Sequence, residues 1–372
     1  LSFFLTLHSV DAQEKAIKPI LVGHGSCIKK VVGKVNQAIL SHATELRLAY
    51  SGIDDVCFDS IVLALRKNKT IMRLYLSHNA LDDTSAPLFA LLLNENRHIQ
   101  GIDLSNNRFT QNGIASLANT MIDNDQLHFL YLRDMQLSGS SIVSIARLLK
   151  HGKSIHHLDL SMNRLSETSL RQLTESLSPD NQIETLGLFD TGMTGKGSTL
   201  AALLNKLPQL KWLDLGANDL THADMKALSA SLQNHTHIRG LDLSYNQLDD
   251  EDIVLITPWL VKAPEILRLV LHHNAFGDQG AESIVASLMK SPSIHTIAFN
   301  NNHITSSSVP SLISLMKNVP TLINLFVFDN AINNKAYDKL TSTTKDIDRL
   351  TVIAHKDKKQ QLVVIEKHEK VI

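Results

Sequence analysis

One phrase, L-x-L-x-x-N-x-L, recurs down the chain and leaves few folds open to it. It stands as LYLSHNAL, IDLSNNRF, LDLSMNRL, LDLGANDL, LDLSYNQL, LVLHHNAF, IAFNNNHI and LFVFDNAI. Its asparagine falls at Asn79, Asn107, Asn163, Asn218, Asn246, Asn274, Asn302 and Asn330, and three further rungs keep the frame with Ser51, Met135 or Thr191 in that slot. Consecutive slots lie 28 residues apart, with one step of 27 between Thr191 and Asn218. A fixed period held over eleven rungs marks a chain that grows by stacking one supersecondary unit, so its 372 residues are not a domain count.

Each part of the unit has a physical task. Alternating apolar residues such as Leu158 and Leu160 send side chains to one face of a short strand, and Asp159 between them points to the other. The slot asparagine turns the chain inward, where its amide can bond backbone groups that no strand ladder satisfies. Past the slot the apolar spacing becomes helical: Leu170, Leu173 and Leu177 after Asn163, Ile253, Ile256 and Leu260 after Asn246, Ile114, Leu117 and Met121 after Asn107. Acidic lead-ins such as LDDED, Leu248 to Asp252, suit helix N-termini. Neither strand nor helix can bury its apolar face alone, and neighbouring units must stack.

With these residues in place, the chain resembles leucine-rich-repeat proteins of the ribonuclease-inhibitor type. The resemblance covers roughly residues 43 to 345 and departs from the type in its near-uniform period and in lacking cysteine at the slot. It implies an α/β solenoid, a curved horseshoe with parallel β-strands on the concave face and α-helices on the convex face. The eleven repeats of residues 43–345 would sit between an N-terminal cap, residues 1–42, and a C-terminal cap, residues 346–372. CIKKVVGKVNQAILS reads as an amphipathic helix closing the first end, and LSFFLTLHSVDAQ as a buried edge element rather than a secretion signal. Two β-like runs around a Lys-rich turn, from Leu350 onward, read as a hairpin.

Composition narrows the function. A net charge of −1 without a long basic block offers no footprint for nucleic acid or an anionic membrane. No apolar run is long enough for a spanning helix. Two cysteines, Cys27 and Cys57, make no metal-spaced pair and no disulfide framework, which favours a reducing, cytoplasmic setting. The glycine-rich stretch TGMTGKGST, Thr191 to Thr199, fails the phosphate-loop spacing, since Gly197 follows Lys196. His24, Ser26 and Cys27 have no orienting acid nearby, and Ser26 reads as a helix N-cap. The pairs His156–His157 and His272–His273 should diverge along their strands, so no metal, no cofactor and no catalytic group is expected.

That leaves the concave face as a protein-binding surface, an arc of roughly 50 Å across eleven rungs. Tyr75, Phe129 and Tyr131 form an aromatic group near one end, with Phe189 and Trp212 near the middle and Phe326 and Phe328 on the last rung. Exposed aromatics are favoured anchors for partners. Asp103, Asp159, Asp214 and Asp242 form an acidic column suited to a basic partner, and His272 stands one column over. The repeats also resemble leucine-rich-repeat effectors of intracellular bacteria, which implies a monomer acting on a host protein in the host cytoplasm. The enzyme-class alternative from the same scaffold is a GTPase-activating protein.

Overall fold

The computed structural model describes residues 29–178, 180–344, 347, 351–356 and 362–365. The slot phrases become three-residue strands: β1 (Glu45–Arg47), β2 (Arg73–Tyr75), β3 (Gly101–Asp103), β4 (Phe129–Tyr131), β5 (His157–Asp159), β6 (Thr185–Gly187), β7 (Trp212–Asp214), β8 (Gly240–Asp242), β9 (Arg268–Val270), β10 (Thr296–Ala298) and β11 (Asn324–Phe326). They pair in parallel and in sequence order in one sheet. Register never slips, so Arg47, Tyr75, Asp103, Tyr131, Asp159, Gly187, Asp214, Asp242, Val270, Ala298 and Phe326 form one column. At the C-terminal end β12 (Thr351–Lys356) continues the sheet in parallel, and β13 (Leu362–Ile365) returns antiparallel to it. The expectations for LSFFLTLHSVDAQ and for His24, Ser26 and Cys27 fall outside the described residues.

Between sheet and helices runs one continuous apolar core holding the strand leucines and the helix faces. Leu170, Leu173, Leu177, Ile253, Ile256, Leu260, Ile114, Leu117 and Met121 are all buried in it, as the 3.6-residue spacing requires. The helix after Asn246 is broken into Asp250–Val254 and Thr257–Lys262. Pro258 has no N–H to give to the Val254 carbonyl. The Thr257 hydroxyl donates to that carbonyl instead, at 2.8 Å. At the first end the helix Lys29–Leu40 buries Val31 and Val35.

The slot asparagines form the polar ladder inside the coil. Asn246 donates through Nδ2 to the carbonyls of Leu215, Leu243 and Ser244 and accepts at Oδ1 from the N–H groups of Asn218 and Leu220, all at 3.0 to 3.2 Å. Asn163, Asn218, Asn274 and Asn302 donate in the same way. Where Met135 fills the slot, the Asn107 N–H meets only a thioether sulfur at 3.5 Å, and the Phe109 N–H has no partner among the described residues. The residue before each slot, from Tyr50 to Asp329, is left-handed, with φ between 49° and 60° at all eleven. An L-residue pays about 1–2 kcal/mol there, which the inward asparagine bonds offset.

One expectation is overturned. Cys57, buried in the helix Asp55–Leu65, is disulfide-bonded. Cysteine usage therefore no longer argues for a reducing compartment.

Candidate functional site

Three groups of side chains gather on the strand side of the solenoid. The first lies on β1 to β5. The Arg47 guanidinium stands 4.4 Å above the Tyr75 ring, and that of Arg73 stands 4.4 Å above Phe129. Phe129 also stacks on His157, with centroids 4.2 Å apart and planes 2° from parallel. Arg73 reaches Phe129 across Gly101, where a Cβ would lie 3.0 Å from that of Phe129. Tyr75, Phe129 and Tyr131 line one shallow recess and are each half-buried, Tyr75 and Phe129 under arginines and Phe129 against His157 as well. Burial lowers the His157 pKa to about 4, keeping its ring neutral, and raises the Tyr131 phenol to about 12.

The second group is a cup of about 350 Å³ on β4 to β9, walled by Tyr131, Asp159, Trp212, Asp214, Asp242 and Arg268. Two glycines in its lining let neighbouring side chains lean over them to form its walls. A Cβ on Gly187 would lie 2.5 Å from Asp159 Oδ1, and one on Gly240 would lie 2.1 Å from Cε3 of Trp212. Trp212 therefore lays its ring over the next rung because that rung carries glycine. Asp214 and Asp242 are direct neighbours in register. The acidic column is interrupted elsewhere, by Tyr131 between Asp103 and Asp159 and by Gly187 between Asp159 and Asp214. Each aspartate accepts through Oδ1 from the N–H two residues on, at Ser105, Ser161, Gly216 and Ser244. That bond gives the recurring LDLS phrase a structural use. Asp159 also pairs with Arg133 at 3.0 Å. Burial first, and then the charge of Asp242, push the Asp214 carboxyl up to about 6.

The third group sits where the chain leaves β6, β8 and β9. Tyr245 stacks on His273 at 4.1 Å, meets His272 edge-on at 5.1 Å and meets Phe189 edge-on at 6.4 Å. His272 and His273 were expected to diverge. Instead their Nδ1 atoms lie 2.9 Å apart, because the left-handed backbone at His273 turns its ring back. Among the described residues no group of three or more His, Cys, Asp or Glu is placed to hold a metal. The Phe189 ring lies against Gly216 and meets Tyr245, and no ring contact joins it to Trp212 among the described residues.

Sequence reasoning missed Arg133, Tyr245 and Gly240. The period already aligned Gly240 beside Trp212, and an empty place in a column is the signal that could have found the cup. The glycine-rich loop is a structural join. The N–H groups of Gly195 and Gly197, which could have faced a phosphate, are taken by the Asp224 carboxylate at 2.9 and 2.7 Å.

Parallel strands in strict order, helices on the other face and a ladder of inward asparagines define a repeat solenoid. More particularly, it is a leucine-rich-repeat solenoid: residues 234–256 match the family model described as Leucine Rich repeat. No curated protein matches the sequence. Among solved structures, the chain is similar to the mouse RP105/MD-1 complex at TM-score 0.51 and 14% identity, over 85% of this chain and 58% of that one. An internalin, InlF of Listeria monocytogenes, aligns at TM-score 0.45 and 14% identity over 87% of this chain and 93% of its own. Leiomodin-1 actin-binding site 2 aligns at TM-score 0.35 and 21% identity over 39% of this chain and 86% of its own. No helix of the described residues is long and apolar enough to cross a membrane.

Proposed function

We propose that this chain is a protein-binding module that docks its partner on the concave sheet, through Tyr75, Phe129, Tyr131 and Trp212 with Asp103, Asp159, Asp214 and Asp242. One observation carries the reading: four large aromatic side chains stand half-exposed on one rigid face, already held by stacking and by glycine gaps. Such side chains lose little entropy on binding and bury much apolar area, which makes them effective anchors. Phe189 and His272 flank the same face around Tyr245 and extend the surface. The division into caps at residues 1–42 and 346–372 around repeats at 43–345 belongs to the same proposal, as does a partner from a eukaryotic host.

The test is affinity capture from eukaryotic cell lysate, comparing the wild type with a Tyr75→Ala, Phe129→Ala, Tyr131→Ala variant of unchanged circular dichroism. A protein retained by the wild type and lost by the variant supports the reading. Equal retention by both would move the contact off this face, and retention by neither would remove the eukaryotic partner.

A further inference from the structure

The cup supports a narrower conclusion, which rests on the protein-binding reading above. We propose that the cup between Trp212 and Tyr131 seats one lysine or arginine side chain of a basic segment of the partner. Space comes first: the cavity of about 350 Å³ opens on the concave face, and Gly187 and Gly240 in its lining let Asp159 and the Trp212 ring lean over them as walls. The walls come second. The rings of Trp212 and Tyr131 border it, and an aromatic face attracts a cation lying within about 6 Å of its centroid.

Charge comes third and selects the occupant. Asp214 and Asp242 are adjacent rungs, and each uses Oδ1 to accept a backbone N–H. Neither makes an ion pair among the described residues, whereas Asp159 is neutralised by Arg133. Arg268 on β9 lines the same cup and pairs with no carboxylate among the described residues, so two unpaired carboxylates face one guanidinium there. A guanidinium or ammonium between the two carboxylates would replace a repulsion with two attractions. The groups that face Asp214 are Asp242 from β8, Asp159 from β5, Arg133 beyond β4 and Arg268 from β9. With the Asp214 carboxyl pushed up to about 6, a bound cation must expel a proton below that pH, and affinity falls there.

The experiment follows tryptophan fluorescence of the full chain during titration with acetylated tetra-arginine amide, tetra-lysine amide and the uncharged tetra-citrulline amide. Only Trp212 lies at the surface, since Trp259 is fully buried, so the signal reports the cup. Both cationic peptides should give a saturable change and the citrulline peptide none. Asp214→Asn with Asp242→Asn keeps the Oδ1 acceptors, so the fold persists, and affinity should drop at least about tenfold. Gly240→Ala, whose methyl would lie 2.1 Å from the Trp212 ring carbon, should weaken binding with every charge intact. Wild-type affinity should be lower at about pH 5 than at about pH 7.5, and Asp214→Asn should flatten that difference.

Equal binding of the citrulline peptide, or a double asparagine variant within about twofold of wild type, would overturn the proposal. Peptide binding without any captured protein leaves the seat standing and removes the docking reading. Capture that survives the double asparagine variant but not the aromatic one does the reverse.

Discussion

Replacing Asn246 with Leu tests what holds one rung to the next. The side chain is 2% exposed and makes five hydrogen bonds. They are not equal. The Leu215 carbonyl keeps a second donor in Asn218 Nδ2 at 3.0 Å, the Leu243 carbonyl keeps Asn274 Nδ2 at 3.0 Å, and the Ser244 carbonyl keeps the Ala217 N–H at 2.8 Å. The N–H groups of Asn218 and Leu220 have no such second partner among the described residues. Two orphaned buried donors at about 1–3 kcal/mol each give an expected loss of about 2–6 kcal/mol. Leucine's extra apolar burial offsets little, because the space is polar on every side.

Urea unfolding followed by circular dichroism measures the loss, and amide hydrogen exchange locates it. Asn218 and Leu220 should lose protection while rungs near β2 keep theirs, since each repeat contacts only its neighbours. A loss under about 1 kcal/mol with those two amides still protected would refute the reasoning, because it would mean the N–H groups find other acceptors.

Two further outcomes follow from the same geometry. Met135→Asn should raise stability by about 1 kcal/mol in urea unfolding, because it offers an acceptor to the N–H groups of Asn107 and Phe109 that the thioether serves poorly. For Asp214, the folded carboxyl is raised to about 6, so the native state holds a proton the unfolded chain has released. Its contribution to stability is present below about pH 4 and is lost as pH rises to about 6. Asp214→Asn should remove that fall when thermal melts are compared across this window. An identical pH profile for the two proteins would show that Asp214 ionises normally.

Much of this protein is local and periodic, and the sequence by itself determined that part. The slot asparagines, the alternation around Leu158 and Leu160 and the helical spacing from Leu170 to Leu177 fix the unit, the facing of each side chain and the pairing order. They do so because 2.0- and 3.6-residue periods are properties of a short stretch of backbone. What lay beyond was how side chains on different rungs would settle on one another. Trp212 could spread only because Gly240 has no side chain, Arg73 reached Phe129 only across Gly101, and Asp159 drew Arg133 while Asp214 and Asp242 made no ion pair among the described residues. The left-handed turn before each slot, the convergence of His272 with His273 and the disulfide at Cys57 also came from tertiary structure. A column of residues is written in the period, but its cavities and charge pairs depend on volumes and distances between rungs, which only the stacked solenoid sets.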